Sequence, residues 1–554
     1  MLYPKDFLPM KGVLACFVIA AFINMVPGSA RAATNEADSR CQALAGDQFL
    51  SLADAPTKIT QARFASDAVE ILQDLARFAA PDVVTEAKKS LAGILPYCRV
   101  SGYVLPTVGF ELLLPASHWN GKFLHVGCGG WCGSPVLLAE TVMTCALHSN
   151  YACIGTDMGH TSMDGLWFRN NLQAQTDFSY RATHVVTLAG KAIIERYYAS
   201  KPKRSYFDGC STGGYQGMVE AQRYPLDFDG IIAGAPDMDE SDLAVRTVWI
   251  KQNFMGRDGK PVLNHDEIQL LHQAALAKCD LDDGVKDGII SDPMHCKFDP
   301  AELLCKAGKT NQCLSAAQVQ AVRNIYGVPV NSKGVQLSSR GVFPGSEMSW
   351  TEMADYAWGD PYFKDTTLLT TSENEWKYTN FDFDRDFARS GVGVLFADTN
   401  PDLRLFKAAG GKLISYQGGN DTSEIPGAVF DYYETVEKTM GGRAATQDFF
   451  RLFAIPGMGH CTGGVGADAA DFLGHLEAWV ELGEAPDRIL SGHYKEISPA
   501  EAHLFGEPYP YRKFPADTSK LSFTRPLYPY PHYPKYKGAG DPNRAENFEP
   551  VAPR

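Results

Sequence analysis

Residues 209–213 read Gly-Cys-Ser-Thr-Gly, a serine set between glycines. Few backbones can hold such a segment. An apolar run, Ser205 to Phe207, precedes it, and Met218, Val219 and Ala221 follow at helical spacing, which puts the pentapeptide at a strand-to-helix turn. A serine at the apex of so tight a turn leaves no room for side chains beside it, and glycines supply that room. The helix start offers its first backbone N–H groups and positive dipole end to any negative charge that develops there. The pattern G-x-S-x-G arises by chance; the strand before it and the helix after it are what give it content.

Strand and helix signals alternate on both sides of this turn. Val104 to Leu114, Phe123 to Val126, Ala152 to Thr156, Tyr206 to Asp208, Ile231 to Ala233, Lys412 to Tyr416 and Phe450 to Ile455 are apolar and β-prone. Thr176 to Tyr198, Ala428 to Met440 and Ala469 to Leu482 have helical spacing. The alternation predicts an α/β fold with a mostly parallel sheet. Residues 49–95 read as a helical introduction. From about Asp237 to Asn400 the alternation breaks into an irregular, aromatic-rich stretch with four cysteines. The economical division is a leader at 1–32, one catalytic domain built from 33–236 and 401–554, and an insertion at 237–400. The last segment, Arg525 to Arg554, is rich in Pro and Tyr and predicts extended coil lying over the surface or staying loose.

The leader follows the order of a secretory signal peptide: Lys5 and Lys11, an apolar run from Val13 to Val26, then small residues up to Ala32. Its apolar run is shorter than the roughly 20 residues a bilayer span needs. The 554-residue chain has 13 cysteines; removing Cys16 with the leader leaves twelve, an even set that suits disulfides in an exported protein. The expected location is therefore secreted or periplasmic, with no stable membrane insertion after cleavage. A net charge of −14 gives no general grip on phosphate backbones, which argues against nucleic acid as a partner.

A hydroxyl is a poor nucleophile at neutral pH and needs a base and an orienting carboxylate. On a sheet of this kind they are expected downstream in the order Ser…Asp…His. Asp421 follows the strand ending Tyr416-Gln417, and His460 follows the next strand in Pro456-Gly457-Met458-Gly459-His460-Cys461. Asp398 and Asp402 compete with Asp421 but precede the strand; His475 and His493 lie beyond the last strand's loop. Cys210 adjoins the serine and Cys461 adjoins the histidine. If Ser211 meets His460, a bridge between these cysteines would close a loop of about 250 residues, which entropy models value at roughly 5 kcal/mol. The alternatives are two unrelated structural cysteines or a reactive thiol at Cys210.

Taken together, Gly209-Cys210-Ser211-Thr212-Gly213-Gly214, Asp421 and Gly457-Met458-Gly459-His460-Cys461 resemble the "CS-D-HC" arrangement of the tannase/feruloyl esterase family. The resemblance extends over nearly the whole mature chain. It implies an α/β-hydrolase sheet with a large inserted lid domain, catalysis by Ser211, Asp421 and His460, and a Cys210–Cys461 bridge. It places the oxyanion hole at the backbone N–H groups of Gly130, in the loop Gly127 to Gly133, and Thr212, with Gly129 as fallback. It also implies a structural Ca2+ site in the lid, held by the carboxylates of Asp280, Asp283 and Asp287 and the carbonyls of Val285 and Ile289. Carboxylates at short intervals, turned by glycines, suit a hard cation, although Ser291 stands where an EF-hand has its bidentate Glu. Further disulfides implied are Cys279–Cys296, Cys305–Cys313 and Cys41–Cys98. The pairing of Cys128, Cys132, Cys145 and Cys153 stays open. At the tail, Tyr528 and the Asn547-Phe548-Glu549-Pro550 stretch stand where many members carry two cysteines, consistent with loss of one whole bridge.

The expected activity is that of a secreted serine esterase acting on feruloyl, other hydroxycinnamoyl or galloyl esters through an acyl-enzyme. Aromatics in the insertion (Phe343, Trp350, Tyr356, Trp358, Tyr362, Phe363, Trp376, Tyr378, Phe381, Phe383) suit a planar acid, and more of them are expected in the insertion's own core than on a ligand. Arg340, Arg385 or Arg389 could meet a substrate carboxylate. The alternative within the family is a terephthalate monoester hydrolase. Outside it stand an inactive secreted calcium-dependent binding protein and a carbon–carbon bond hydrolase on the same scaffold.

Overall fold

The computed structural model describes residues 26–67, 96–133, 150–162, 165–256, 258–306, 312–351, 377–387, 395–424, 426–495 and 512–553, with residues 69, 72, 73 and 88. Ten strands form the main sheet: β1 (Gln48–Phe49), β2 (Thr57–Ala65), β3 (Tyr97–Val104), β4 (Val108–Pro115), β5 (Lys122–Val126), β6 (Ala152–Thr156), β7 (Arg204–Cys210), β8 (Gly230–Gly234), β9 (Lys412–Gly418) and β10 (Phe450–Ile455). Their order is β1-β2-β3-β4-β6-β5-β7-β8-β9-β10. The six from β6 to β10 are parallel; β1 to β4 are antiparallel, and β4 joins β6 antiparallel. The sheet is thus mixed rather than mostly parallel.

The parallel strands are buried on both faces, which is why they read as continuous apolar runs. Phe123, Phe207, Ile231 and Leu413 point to one face and pack with Val186, Ile193 and Met218 from the helices Ala182–Tyr198 and Thr212–Arg223. Leu124, Tyr206, Ile232 and Ile414 point to the other and pack with Leu473, Leu476 and Trp479 of the helix Phe472–Leu482.

Three segments differ from the sequence reading. The introduction is not all helical: after the helix Val26–Leu44 the chain enters β1 and β2. β2 lies toward the sheet's edge and is half exposed, so its residues give no apolar run to recognise. Of the expected leader, residues 1–25 lie outside the described residues. The helix expected from Ala469 begins at Phe472, because Asp471 caps it by accepting from Gly474 N–H. The tail is neither coil nor loose. With β11 (Ala469–Ala470), β12 (Ile489–Tyr494) and β13 (Arg512–Lys513), β14 (Leu521–Leu527) builds a second sheet in the order β13-β11-β12-β14, and β15 (Tyr533–Tyr536) pairs with β16 (Phe548–Val551).

Between the parallel neighbours β8 and β9 the chain makes its long excursion. The helices His265–Cys279 and Ala316–Tyr326 start at capping boxes, Asn264 with Glu267 and Ser315 with Gln318. Trp350 and Phe381 are buried against Tyr326 and Phe383 of the same segment and Phe343 is buried against Phe430 of the helix Gly427–Thr439, while Tyr356, Trp358, Tyr362, Phe363 and Trp376 lie outside the described residues. Arg340 is paired with Asp431 and Arg385 with Asp386; Arg389 lies outside the described residues.

Arg525 anchors the tail without a disulfide. Its guanidinium sits 4.7 Å and 4.5 Å from the Phe523 and Phe548 ring centres, donates to the Thr524 and Pro542 carbonyls at 2.9 Å, and reaches Asp287 Oδ2 at 2.6 Å. Arg525 is 7% exposed, so its removal takes away the partner of Asp287, two carbonyl contacts and the packing beside two rings. Replacing Arg525 by Ala is expected to cost about 2–4 kcal/mol of unfolding free energy in urea titrations. A loss below about 0.5 kcal/mol, the range of an ordinary surface substitution, would refute the anchoring role.

Candidate active site

β7 ends at Cys210 and the helix begins at Thr212, so Ser211 is the single residue of the turn. Its backbone is at φ 61°, ψ −129°, a region non-glycine residues rarely occupy. The turn is held from below: Ser211 N–H donates to Gly234 O at 3.0 Å, and a Cβ on Gly209 would lie 2.6 Å from Gly213 O. No residue larger than glycine fits at 209 unless the turn opens. Thr212 N–H, the first of the helix, has no acceptor inside it.

β9 and β10 bring the other two groups to the same end of the sheet. Asp421 lies in the loop after β9, fully buried, and its Oδ2 is 3.0 Å from His460 Nδ1. Gln417 Nε2 donates to the same oxygen at 3.0 Å, while Ser423 and Glu424 N–H donate to Oδ1 at 2.9 and 3.1 Å. Burial pushes the Asp421 carboxyl up, but His460 and these donors prevail and hold it below the usual carboxylate range. Asn420 N–H to Met458 O, 2.9 Å, joins the acid loop to the histidine loop directly. Cys210 and Cys461 form a disulfide across 251 residues, with Cα atoms 6.0 Å apart. Cys461, like Ser211, has a positive φ, 59°.

The rival residues are elsewhere. Asp402 is half-buried and paired with Arg404. Asp398 is buried near Asp237, Tyr215 and Tyr432. His475 lies on the helix Phe472–Leu482 and His493 meets the Gly466 carbonyl from β12.

One residue the sequence reading missed is Glu424. Its Oε1 accepts from Ser211 Oγ at 3.1 Å and stands 3.8 Å from His460 Nε2. Burial, then the Asp237 and Asp421 charges, push this carboxyl up to about 8, against the opposing pull of His460 and the Ser211 hydrogen bond. Nothing local in Asp421-Thr422-Ser423-Glu424 announces a contact made across 213 residues of chain.

The glycine loop after β5 lies against the turn. Gly127 N–H donates to Asp208 O at 2.9 Å, and a Cβ there would come within 2.8 Å of Gly213 Cα. Thr212 Oγ1 donates to Gly130 O at 2.8 Å, which fixes Gly130 beside the helix start. Cys128 and Cys132 form a disulfide that closes this loop on itself, and Gln216 Oε1 accepts from Cys128 N–H at 3.3 Å. Cys153 is also disulfide-bonded, and Cys145 lies outside the described residues. The remaining bridges are Cys41–Cys98, Cys279–Cys296 and Cys305–Cys313.

The acidic loop begins right after Cys279. Asp280 accepts from Asp287 and Gly288 N–H, both at 3.2 Å. Asp283 accepts from Val285 N–H at 2.8 Å and from Ser291 Oγ at 2.6 Å. Asp287 accepts from Ile289 N–H at 3.1 Å and holds Arg525. Burial first, with repulsion from Asp287, pushes Asp280 up and Asp283 to about 6. A set of oxygen donors whose negative charges disfavour one another fits a hard cation. Among the described residues, a tighter cluster of potential metal ligands lies elsewhere, at His184, Glu220 and Asp227. There His184 Nδ1 and Asp227 Oδ2 are 2.5 Å apart, the separation of a hydrogen bond rather than of two ligands on one ion.

The family described as "Tannase and feruloyl esterase" matches residues 92–383 and 388–551. Mono(2-hydroxyethyl) terephthalate hydrolase of Piscinibacter sakaiensis is 33% identical, with 84% of this chain and 87% of that one covered. A probable feruloyl esterase of Arthroderma benhamiae is 32% identical over 78% of this chain and 80% of its own. Among solved structures, feruloyl esterase B from Aspergillus oryzae superposes with a TM-score of 0.76 at 25% identity, covering 93% of this chain and 100% of that one. The tannin acyl hydrolase from Aspergillus niger gives 0.67 at 19% identity, over 90% and 92%, a likeness of fold.

If the 251-residue bridge acts by restricting the unfolded chain, its cost on removal follows loop length. Replacing Cys210 and Cys461 together by Ala is expected to cost about 5 kcal/mol, against about 2–3 kcal/mol for Cys305 and Cys313, whose loop is short. Equal losses in parallel denaturant titrations would show that the long bridge does not act in this way.

Proposed function

The chain belongs to the tannase and feruloyl esterase family of carboxylic ester hydrolases, and from that premise we propose that it cleaves esters of aromatic acids through an acyl-enzyme on Ser211. The observation that carries the reading is the His460 Nδ1–Asp421 contact at 3.0 Å, disulfide-clamped beside a serine in a strained turn. In the proposed reaction Ser211 Oγ turns from Glu424 toward His460 Nε2, gives up its proton there, and bonds to the ester carbonyl carbon. Asp421 fixes the imidazole tautomer and stabilises the imidazolium. The Gly130 and Thr212 N–H groups face the oxygen that becomes negative, a contribution of about 3 kcal/mol per donor. His460 then protonates the departing alcohol, and a water activated by the same ring hydrolyses the acyl-serine.

Hydroxycinnamoyl and galloyl esters are the proposed substrates, supported by the feruloyl esterase relatives and by membership of the tannase and feruloyl esterase family. The terephthalate hydrolase relative favours a second reading, a terephthalate monoester. Export is supported by the disulfides, which persist in oxidising compartments. Among the described residues no helix is long and apolar enough to cross a membrane. Ca2+ is proposed on Asp280, Asp283, Asp287 and the Val285 and Ile289 carbonyls. Its chemistry there is structural: bound, it neutralises the clustered carboxylates of a loop that Cys279–Cys296 and Arg525 already tie down.

Methyl ferulate, methyl gallate and the terephthalate monoester, assayed side by side, rank the substrates. Ser211→Ala is expected to lower kcat/KM on the best of them by at least about 1,000-fold with folding unchanged. Hydrolysis that survives the substitution would end the acyl-enzyme reading. Excess Ca2+ at about 100–1,000 times its Kd should add about 3–4 kcal/mol of stability, and Asp283→Asn should erase most of that gain. Identical melting of wild type with Ca2+ and with chelator would exclude the ion.

A further inference from the structure

The reaction above leaves Glu424 without a task, yet it holds the reacting hydroxyl. Its Oε1 takes the Ser211 hydrogen bond at 3.1 Å and lies 3.8 Å from His460 Nε2. Its Oε2 is buried with no hydrogen-bond partner among the described residues. In the resting protein the serine proton therefore points at a carboxyl group. Charged and titratable groups face Glu424 from each side. Asp421 lies in its own turn, His460 in the loop after β10, and Asp237 in the segment after β8. Asp237 in turn faces Asp239, Glu240 and Asp398. This is an acidic neighbourhood in which one more negative charge is strongly opposed.

Resting on the hydrolase reading, we infer that Glu424 is a positioning residue that sets the alkaline limit of the reaction. Neutral, it leaves Ser211 able to pass its hydrogen bond to His460. Ionised, it grips the hydroxyl as a charge-assisted acceptor and sets a negative charge beside the forming oxyanion. No bond to Glu424 is made or broken: its proton goes to solvent on ionisation, and the proton of acylation still moves from Ser211 to His460. Because Glu424 and His460 lie within 3.8 Å, their titrations are coupled and the limit belongs to the pair. The geometry agrees with the elevated value near 8 that its surroundings impose.

The direction follows from the charge form required. Activity needs the base neutral, which sets an acid limb, and Glu424 protonated, which sets an alkaline one. The experiment measures the second-order rate of Ser211 labelling by a fluorophosphonate from pH 5 to 10, a readout independent of the natural ester. It compares wild type with Glu424→Gln and Glu424→Ala, and melting temperatures at each pH accompany the rates. The wild-type rate is expected to fall about tenfold from its plateau by pH 9. Both variants lack a titrating group at 424 and should lose that fall while keeping the acid limb, which a merely structural role would not produce. A wild type with no alkaline fall, or variants that retain it, would overturn the role of Glu424 and leave the hydrolase reading standing. Folded wild type that takes no label at any pH would overturn the hydrolase reading, and this inference with it.

Discussion

The sulfur bridge between Cys210 and Cys461 is the constraint on which the site depends. It joins the residue before Ser211 to the residue after His460, and both Ser211 and Cys461 hold positive φ. Such conformations cost about 1–3 kcal/mol each and persist only where the surroundings over-determine them. The turn at Ser211 is over-determined by its glycine packing and by the Gly234 carbonyl; the turn at Cys461 has the bridge. β7 and β10 are not neighbours in the sheet, because β8 and β9 lie between them. A backbone ladder therefore cannot set the distance between their loops to a fraction of an ångström. A covalent link near both reacting groups can.

The same logic is repeated on the other flank. The glycine loop after β5 offers backbone groups rather than side chains, and a flexible loop would lose the preorganisation that makes such donors effective. The Cys128–Cys132 bridge closes it within a few residues, Gly127 packs against Gly213, and Thr212 Oγ1 holds Gly130 O. Strand order brings the four loops, after β5, β7, β9 and β10, to one end of the sheet. Sulfur bridges and tight glycine contacts then fix them there, leaving Asn420 N–H to Met458 O to join the last pair.

The sequence made the parallel core legible because strands buried on both faces must be apolar along their whole length. Ala152–Thr156 and Phe450–Ile455 are therefore bounded in the chain as they are in the structure. That Ser211, Asp421 and His460 meet could be expected for a related reason: each follows one of those strands, and chain order suggests the roles proposed for them. What escaped lies where local pattern carries no signal. β2 alternates weakly because one side of it meets solvent. The tail strands combine prolines with tyrosines, a composition that reads as coil until Arg525, wedged between Phe523 and Phe548, ties them to Asp287 far upstream. Glu424 meets Ser211 only because β7 and β9 deliver their loops to the same place.

Asp421 and Glu424 show how far position outweighs chemistry. They are two carboxyl groups in one turn, both buried, and their affinities for a proton are displaced in opposite directions. Asp421 receives an imidazole, an amide and two backbone N–H groups, enough donors to replace the water it has lost. Glu424 receives one hydroxyl, leaves an oxygen bare, and faces the charges of Asp237 and Asp421, which outweigh the more distant His460. Burial penalises both anions alike, so the count and charge of the neighbours decide which one survives at neutral pH. Two acids whose hold on a proton is displaced in opposite directions, three residues apart, are thus placed on either side of a single imidazole. In the proposed reaction one favours the cation that forms on the ring, and the other, while neutral, keeps that favour from being cancelled at the serine.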